Sequence, residues 1–531
     1  MKSIFITAII ILVLIGSLTA QKKQVSLALD LNTPEVEFNH WGYNLIACDD
    51  ANYSFNAIGR LKDLRHGIHF AKLDLSGEVL WNIPVFPEDS LAQFLINNNG
   101  FLKMADTLVG LVPVVPDPYQ EGFEAMELKD SIKFLLANTS GELLGSVMVS
   151  ERGDYFDQPF GQSMFYGNDH LYLIVRIGGL RYFEIWQLNR KFEIINAEVV
   201  PNQGRHVNFL NLYPLENGNV LMAGVEHQSS GHGYQWIVLL DEQLNPIKEF
   251  RGEHLAQHGA SSIIRPTSDG GFICTFQRDN EIEWSSDTTL TSTTINKFDH
   301  ELNMEWEYIF YAAALQDLTQ IKKVGENLFL GVGHSDDLVF RDVYSGALEG
   351  WVFLFSDKGV VLWDRYIADF RYNHISYFMN GDIMDCGGYA LLGTVDHITP
   401  DVEPFINDPK VWYLTLDENG CWNGNCHRRI LITGPETSET FIPVSTEEIF
   451  EPDASMEVFP NPASTSVTLV HEYPGEKVLR MVNMSGQLVD EIPLHAERST
   501  INLRGMQAGL YIFSVYTRDG RWLSDKRVVV E

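Results

Sequence analysis

FAKLDLSGEVLW (residues 70–81) is an apolar strand to Leu73, a polar turn opened by Asp74 and relaxed at Gly77, and a second strand starting at Val79. Asp, Asn and Ser open turns by bonding their own backbone, and glycine tolerates the positive φ that ends one. The same unit recurs as FLLANTSGELLG (134–145), IWQLNRKFEII (185–195), IVLLDEQLNPI (237–247), INKFDHELNME (295–305), VFLFSDKGVVLW (352–363) and WYLTLDENGCW (412–422). The openers are Asp74, Asn138, Asn189, Asp241, Asp299, Ser356 and Asp417, spaced 51 to 64 residues apart. Three residues beyond them stand Gly77, Gly141, Phe192, Leu244, Leu302, Gly359 and Gly420. Seven units of that size, with about four strands each, suit a propeller.

Upstream of each hairpin lies another short apolar stretch: YNLIACDD, DTLVGLVPV, DHLYLIVRI, GNVLMAGVEH, GGFICTFQRD, GENLFLGVGH and GGYALLGTVDH. These are expected to be the second strand of each blade, with SSIIRPTS and LTQIKKVG among the innermost strands. Residues 38–430 show no sustained helical periodicity. A sandwich would not repeat one unit seven times, and β-helix turns are much shorter. The expected fold is therefore all-β, a seven-bladed β-propeller over residues 38–430 followed by a small C-terminal β-sandwich. Six or eight blades remain alternatives. The N-terminal segment 21–37 contains QVSLALDL, a candidate ring-closing strand that would remove the open edges.

The chain opens MKSIFITAIIILVLIGSLTAQKK, with one lysine, a short apolar run and small residues before Ala20. This is the pattern of a secretory signal peptide over residues 1–20, with an uncleaved anchor as the alternative. No other stretch approaches the length of a membrane span, so the mature protein is expected to be exported without a transmembrane segment. Asp plus Glu number 71 against 38 Lys plus Arg, a formal charge of −33. Such a surface repels phosphate backbones and anionic lipid, which argues against nucleic acid as a partner. Cys421 and Cys426 share the turn-rich DENGCWNGNC, and export favours a disulfide between them over a two-thiolate metal site. Cys274 and Cys48 lie in strand-like segments and are expected to be buried thiols, and Cys386 a turn residue.

Residues 431–455 hold no Lys or Arg and are rich in Glu, Ser, Thr and Pro, which predicts an extended acidic linker that leaves little to dock one core on the other. After it, alternation through Val467, Leu469, Leu503, Tyr511, Phe513 and Val515 predicts the half-buried strands of a sandwich over residues 456–531. This segment carries Phe459-Pro460-Asn461-Pro462, the turn Ser485-Gly486 before Leu488-Val489, the Ala508-Gly509-Leu510-Tyr511 step, and Gly520 with Lys526 before the final valines. With these marks it resembles the type A C-terminal sorting domain of proteins exported by the type IX secretion system of Bacteroidota. Met506-Gln507 stands where a proline often precedes the Ala-Gly pair. The resemblance implies passage through the periplasm, recognition by the type IX machinery, and release or attachment to surface lipopolysaccharide.

Propellers usually act on the face where second-to-third-strand connections gather, and here those connections are long and polar. Three begin with histidine: His227, His334 with Asp336 nearby, and His397 after Asp396. On regular blades these would share a rim, as a polar ligand site or simply as strand ends meeting solvent. The hairpins of residues 74–81 and 356–363, with glycine at the fourth position and tryptophan at the eighth, look close to the D-x-x-G-x-x-x-W of quinoprotein-like repeats, and the sialidase box is not matched. Nucleophile-elbow, His-Glu-x-x-His and phosphate-loop motifs are missing, and no cofactor, metal or catalytic residue is expected. Two functions compete: binding of an extracellular protein or glycan, and a hydrolase or lyase with its site in the central cavity.

Overall fold

The computed structural model describes residues 24–29, 31, 41–47, 52–60, 66–86, 92–94, 101–116, 131–150, 164–167, 169–177, 182–200, 206–227, 233–255, 262–279, 291–310, 316–336, 348–369, 375–385, 387–398, 407–432, 456–471, 477–483, 488–496, 498–517 and 522–530. The signal segment, the linker from 433 to 455, Cys48, Cys386, Gly486 and Gly520 lie outside them.

All seven hairpins close in the same way. In each, the amide three residues past the opener donates to the opener's carbonyl, as Gly77 N does to Asp74 O at 3.0 Å and Leu244 N to Asp241 O at 2.9 Å. The opener's own amide donates to the carbonyl four residues on. Its side-chain oxygen accepts from the backbone too: Asp241 Oδ1 takes the amides of Gln243 at 2.9 Å and Asn245 at 2.8 Å, and Asp417 Oδ1 those of Asn419 and Cys421. The residue three past every opener has positive φ, from 60° at Leu302 to 93° at Gly141. A turn followed by a left-handed residue produces a bulge in the outgoing strand. Such a register shift follows the turn in the first six repeats, between Lys72 and Leu73 or Leu239 and Leu240, for example.

Each repeat is an antiparallel sheet in which consecutive strands are neighbours. The first runs Trp41–Ala47, Tyr53–Arg60, His66–Leu73 and Val79–Val85. Repeats spanning 164–199, 206–255 and 264–310 are likewise four-stranded. The second has five strands because Ala92–Phe94 and Phe101–Met104 both pair with Thr107–Pro116. The sixth and seventh are joined in one nine-stranded sheet through the parallel bridge Leu348↔Ile375. The first strands of successive repeats lie side by side, and that of the seventh lies beside that of the first. This is a β-propeller. YNLIACDD corrects the sequence reading: Trp41–Ala47 is the first strand of its repeat, and Tyr53–Arg60 is the second. Ile264–Pro266 and Gln316–Lys323 are first strands, as expected.

The seventh repeat supplies only Ile375–Ile383, Tyr389–Ile398 and Asn407–Leu416. Its fourth strand is Ser26–Leu29 from the other end of the chain, in antiparallel register from Ser26↔Leu414 to Leu29↔Val411. Trp412 Nε1 donates to Ser26 Oγ, which donates to the buried carboxylate of Asp369, both at 2.9 Å. Gln24 clasps the Cys421–Cys426 disulfide loop, its Nε2 donating to Cys421 O at 2.6 Å and its Oε1 accepting from Asn423 N. Val25, Leu29 and Leu31 share one core with Tyr53, Phe55 and Leu73 of the first repeat and Tyr413 of the seventh. Arg429–Ile432 adds a parallel strand beside Val361–Asp369, so the propeller continues two residues past the boundary read from composition.

Adjacent repeats meet by size complementarity. A Cβ added to Gly141 would come within 2.7 Å of Trp81 in the preceding repeat; Gly359 stands in the same relation to Trp306 at 3.1 Å and Gly420 to Trp363 at 2.7 Å. Each tryptophan is seven residues past its own turn opener. The repeats whose residue there is Gly145, Asn196 or Lys248 are followed by Phe192, Leu244 or Leu302 at the left-handed position. Leu244 and Leu302 are buried, and Phe192 packs on Phe134 of the preceding repeat at 4.8 Å. A left-handed non-glycine residue costs about 1 kcal/mol, offset here by filling the space a tryptophan fills elsewhere.

The C-terminal sandwich stacks Met456–Phe459, Ser466–His471 and Arg498–Asn502 against a four-stranded sheet ordered Leu488–Leu494, Lys477–Asn483, Gly509–Thr517 and Trp522–Val530. Val467, Leu469, Leu503, Phe513, Val515 and Val528 form its core. It is not isolated: Tyr516 and Ile512 join hydrophobic clusters of the propeller. That corrects the expectation that little docks one core on the other, because alternating strands present apolar side chains on both faces of this sheet.

Two stability outcomes follow. Gly270 has φ 85° with open space around it, so Gly270→Ala should cost only the left-handed strain of about 1 kcal/mol. Gly141→Ala adds collision with Trp81, typically about 1–3 kcal/mol more, and Trp81→Ala should remove that excess. Equal falls in thermal midpoint for both glycine variants would contradict the packing account. Separately, burial lowers the pKa of His69 to about 4, against the hydrogen bond with Asn82 at 2.9 Å. The unfolded chain then binds the extra proton between pH of about 6.5 and 4, so stability should fall across that window by up to about 3 kcal/mol. His69→Gln should flatten the dependence in denaturant titrations at pH 7 and 4.5.

Candidate functional site

The three rim histidines fall at the same end of three second strands: Val220–His227, Leu328–Asp336 and Tyr389–Ile398. They are not at one step. Counted from Val220, Phe329 and Tyr389, which pair with the residues just before the turns, His227 is seventh, His334 fifth and His397 eighth. Asp336 pairs with Leu348 and Asp396 with Pro409, also at the strand ends. Only the His334 side chain is among those described. It is half-buried, its ring 5.8 Å from Tyr377, and its Nδ1 is buried without a hydrogen-bond partner among the described residues. The polar connections that follow these strands lie largely outside the described residues.

A cleft of about 310 Å³ opens on the opposite, turn-bearing face, between the fifth and sixth repeats. Ser268, Asp269, Glu326, Asn327, Asp357 and Lys358 line it. Beneath it, the buried ammonium of Lys297 donates to Asp269 and Glu305. Partial burial works to raise the Asp269 pKa, but the hydrogen bonds from Lys297 and Thr267 hold it well below the usual carboxylate range. Burial pushes the Asp357 carboxyl up. Lys72, at the equivalent place two residues before its opener, reaches Thr139 O of the next repeat at 3.1 Å. The shared position marks these lysines as ties between structural elements. Among the described residues no group of three metal-ligating side chains converges. Cys274 is a fully buried free thiol whose pKa burial raises, unsuited to a nucleophile.

The best-formed site is in the sandwich. Asn461, held in the Phe459–Pro462 corner, donates from Nδ2 to Arg527 O at 2.7 Å and accepts Val529 N at Oδ1 at 2.8 Å. Ala463 N donates to Val529 O at 2.9 Å. The first segment of the domain is thus tied to its last strand by one amide side chain that fills a backbone donor and a backbone acceptor together. Tyr511 faces the core while its hydroxyl donates to Gln507 O at 2.7 Å, fixing the approach to the Gly509–Thr517 strand. Lys526 pairs with Phe513 in the last two strands.

The chain is an all-β propeller carrying a C-terminal sandwich. Residues 457–531 match the family described as the secretion system C-terminal sorting domain, and this part of the chain is a type IX sorting domain. No curated protein matches the chain in sequence. Among solved structures, the chain is similar to a protein of unknown function from Bacteroides caccae, at 14% identity over 54% of this chain and 94% of that one, TM-score 0.31. It is similar to the β-propeller domain of the trilobed protease from Pyrococcus furiosus, at 10% identity over 71% and 97%, TM-score 0.37. The WD40 domain of SCAP from fission yeast is similar at 7% over 74% and 98%, TM-score 0.34. The sorting domain directs the chain to the type IX machinery, for secretion or display at the cell surface. Among the described residues no helix is long and apolar enough to cross a membrane.

The Lys297 tie has a measurable pH signature. With the folded Asp269 pKa depressed, its contribution is present above the unfolded value near about 4 and lost as pH falls below it. The stability gap between the natural chain and Lys297→Met should therefore shrink on acidification. A gap that stays constant from pH 7 to 3 would show that the carboxylate is not coupled to the lysine.

Proposed function

We propose that the propeller is a seven-bladed binding domain which recognises an extracellular protein or glycan on the face carrying its long second-to-third-strand connections. The observation that carries this reading is the placement of those connections after the outgoing ends of successive second strands, with His227, His334, Asp336, Asp396 and His397 at the bases of three of them. The turn-bearing face, by contrast, carries short hairpins. The chain reaches its place by removal of residues 1–20, transit of the periplasm and recognition of the sorting domain, followed by release or attachment to lipopolysaccharide. The propeller binds there without a catalytic step. The hydrolase or lyase reading has less support, since the three histidines start from three different strand steps.

Two experiments test this. Arrays of polysaccharides and surface proteins probed with the purified propeller should give a ligand whose affinity falls at least about tenfold in the triple variant His227→Ala, His334→Ala, His397→Ala. Turnover of a substrate without stable binding would favour the enzyme. Deleting residues 456–531 in the native host should leave the propeller in the periplasm. If it still reached the outside at normal levels, the sorting assignment would fail.

A further inference from the structure

In the strand Gly509–Thr517, Tyr511, Phe513 and Val515 enter the sandwich core. Alternation therefore turns Ile512, Ser514 and Tyr516 to the outer side of the four-stranded sheet. An isolated sandwich would leave that side in water, yet the three are 8%, 0% and 1% exposed. Tyr516 lies in one cluster with Tyr308, Phe310 and Trp351 of the fifth and sixth repeats, its ring edge-on to Tyr308 with centroids 6.3 Å apart. Ile512 belongs to a cluster with Trp363, Ile430 and Ile432. From the adjacent sandwich strand, Arg480 sits 4.8 Å over the Tyr516 ring and is held by Glu491 at 2.7 Å. On the propeller side Arg428 stacks on Tyr366 at 5.3 Å and pairs with Asp364 at 2.8 Å. Aromatic anchors in a desolvated centre, bordered by held charges, are the composition of a specific interface.

We propose that the outer face of the sorting sandwich, centred on Tyr516, is a docking surface for the fifth and sixth repeats of the propeller, so that the two domains stay bound after the chain between them is cut. Cutting the linker would then not be release, and the propeller's aromatic seat would stay covered until something displaces the sandwich. The interface would hold the two domains together whether or not the sandwich serves export.

A protease site placed between residues 433 and 455 of the full chain tests it. After cleavage the two parts should co-elute on size exclusion, and Tyr516→Ser should separate them, with the Kd in trans weakened by about tenfold or more. Tyr308→Ser, on the propeller side, leaves the sandwich untouched and should separate them too, which keeps the test valid if Tyr516→Ser unfolds the small domain. Separation of the cleaved natural chain, or continued co-elution of the Tyr308→Ser chain, would overturn the proposal.

Discussion

The left-handed residue at the end of each hairpin is the constraint on which the propeller rests. A side-chain oxygen at the opener captures backbone amides, the fourth residue takes positive φ, and in the first six repeats the outgoing strand begins with a bulge. The bulge sets where the fourth strand lies and therefore what it presents to the next repeat. Glycine with a preceding tryptophan, or a large side chain with no tryptophan, are two solutions to one volume requirement, since interiors tolerate neither overlap nor void. The three non-glycine turns are the second solution, in which backbone strain is offset by burial.

The local parts of this scheme were legible in the sequence because a turn's chemistry is contained within five residues. Every opener, the four glycines of positive φ that close their turns and six of the seven second strands could be found from residue type alone, whereas the left-handed Phe192, Leu244 and Leu302 could not. The first repeat failed for a physical reason. Its second strand contains Ser54 and Asn56, polar residues that resemble a loop, yet both are buried and Asn56 Oδ1 accepts from the amide and side chain of Asn44. A polar residue satisfied by a partner on another strand cannot be told from a solvated one without knowing the pairing. For the histidines the strand ends could be located in the sequence, but not that His227, His334 and His397 stand seven, five and eight residues from their turn-side starting points. Contact between the domains was not legible at all, since Tyr516 and Tyr308 alternate as any strand residue does.

The two domains use the chain ends in opposite ways. In the sandwich, Asn461 pins the final strand to a corner near the domain's start, so the closing interaction spans fewer than 70 residues. A separation of that size can close quickly and independently of the rest of the protein. One mark of the sorting domain, Phe459-Pro460-Asn461-Pro462, coincides with this corner, so that part of the linear motif reports a folded contact.

In the propeller, closure spans nearly the whole passenger. Ser26 pairs with Leu414, and Gln24 meets Cys421 across 397 residues. The Ser26–Leu29 strand therefore has no partner until the seventh repeat is in place. Until the seventh repeat exists, the apolar side chains of Val25, Leu29 and Leu31 have no seat, and both edges of the growing array stay open. The disulfide loop that grips Gln24 thus stands at the seam where the two ends of the array meet, so a local crosslink of two cysteines supports a contact between residues far apart in sequence.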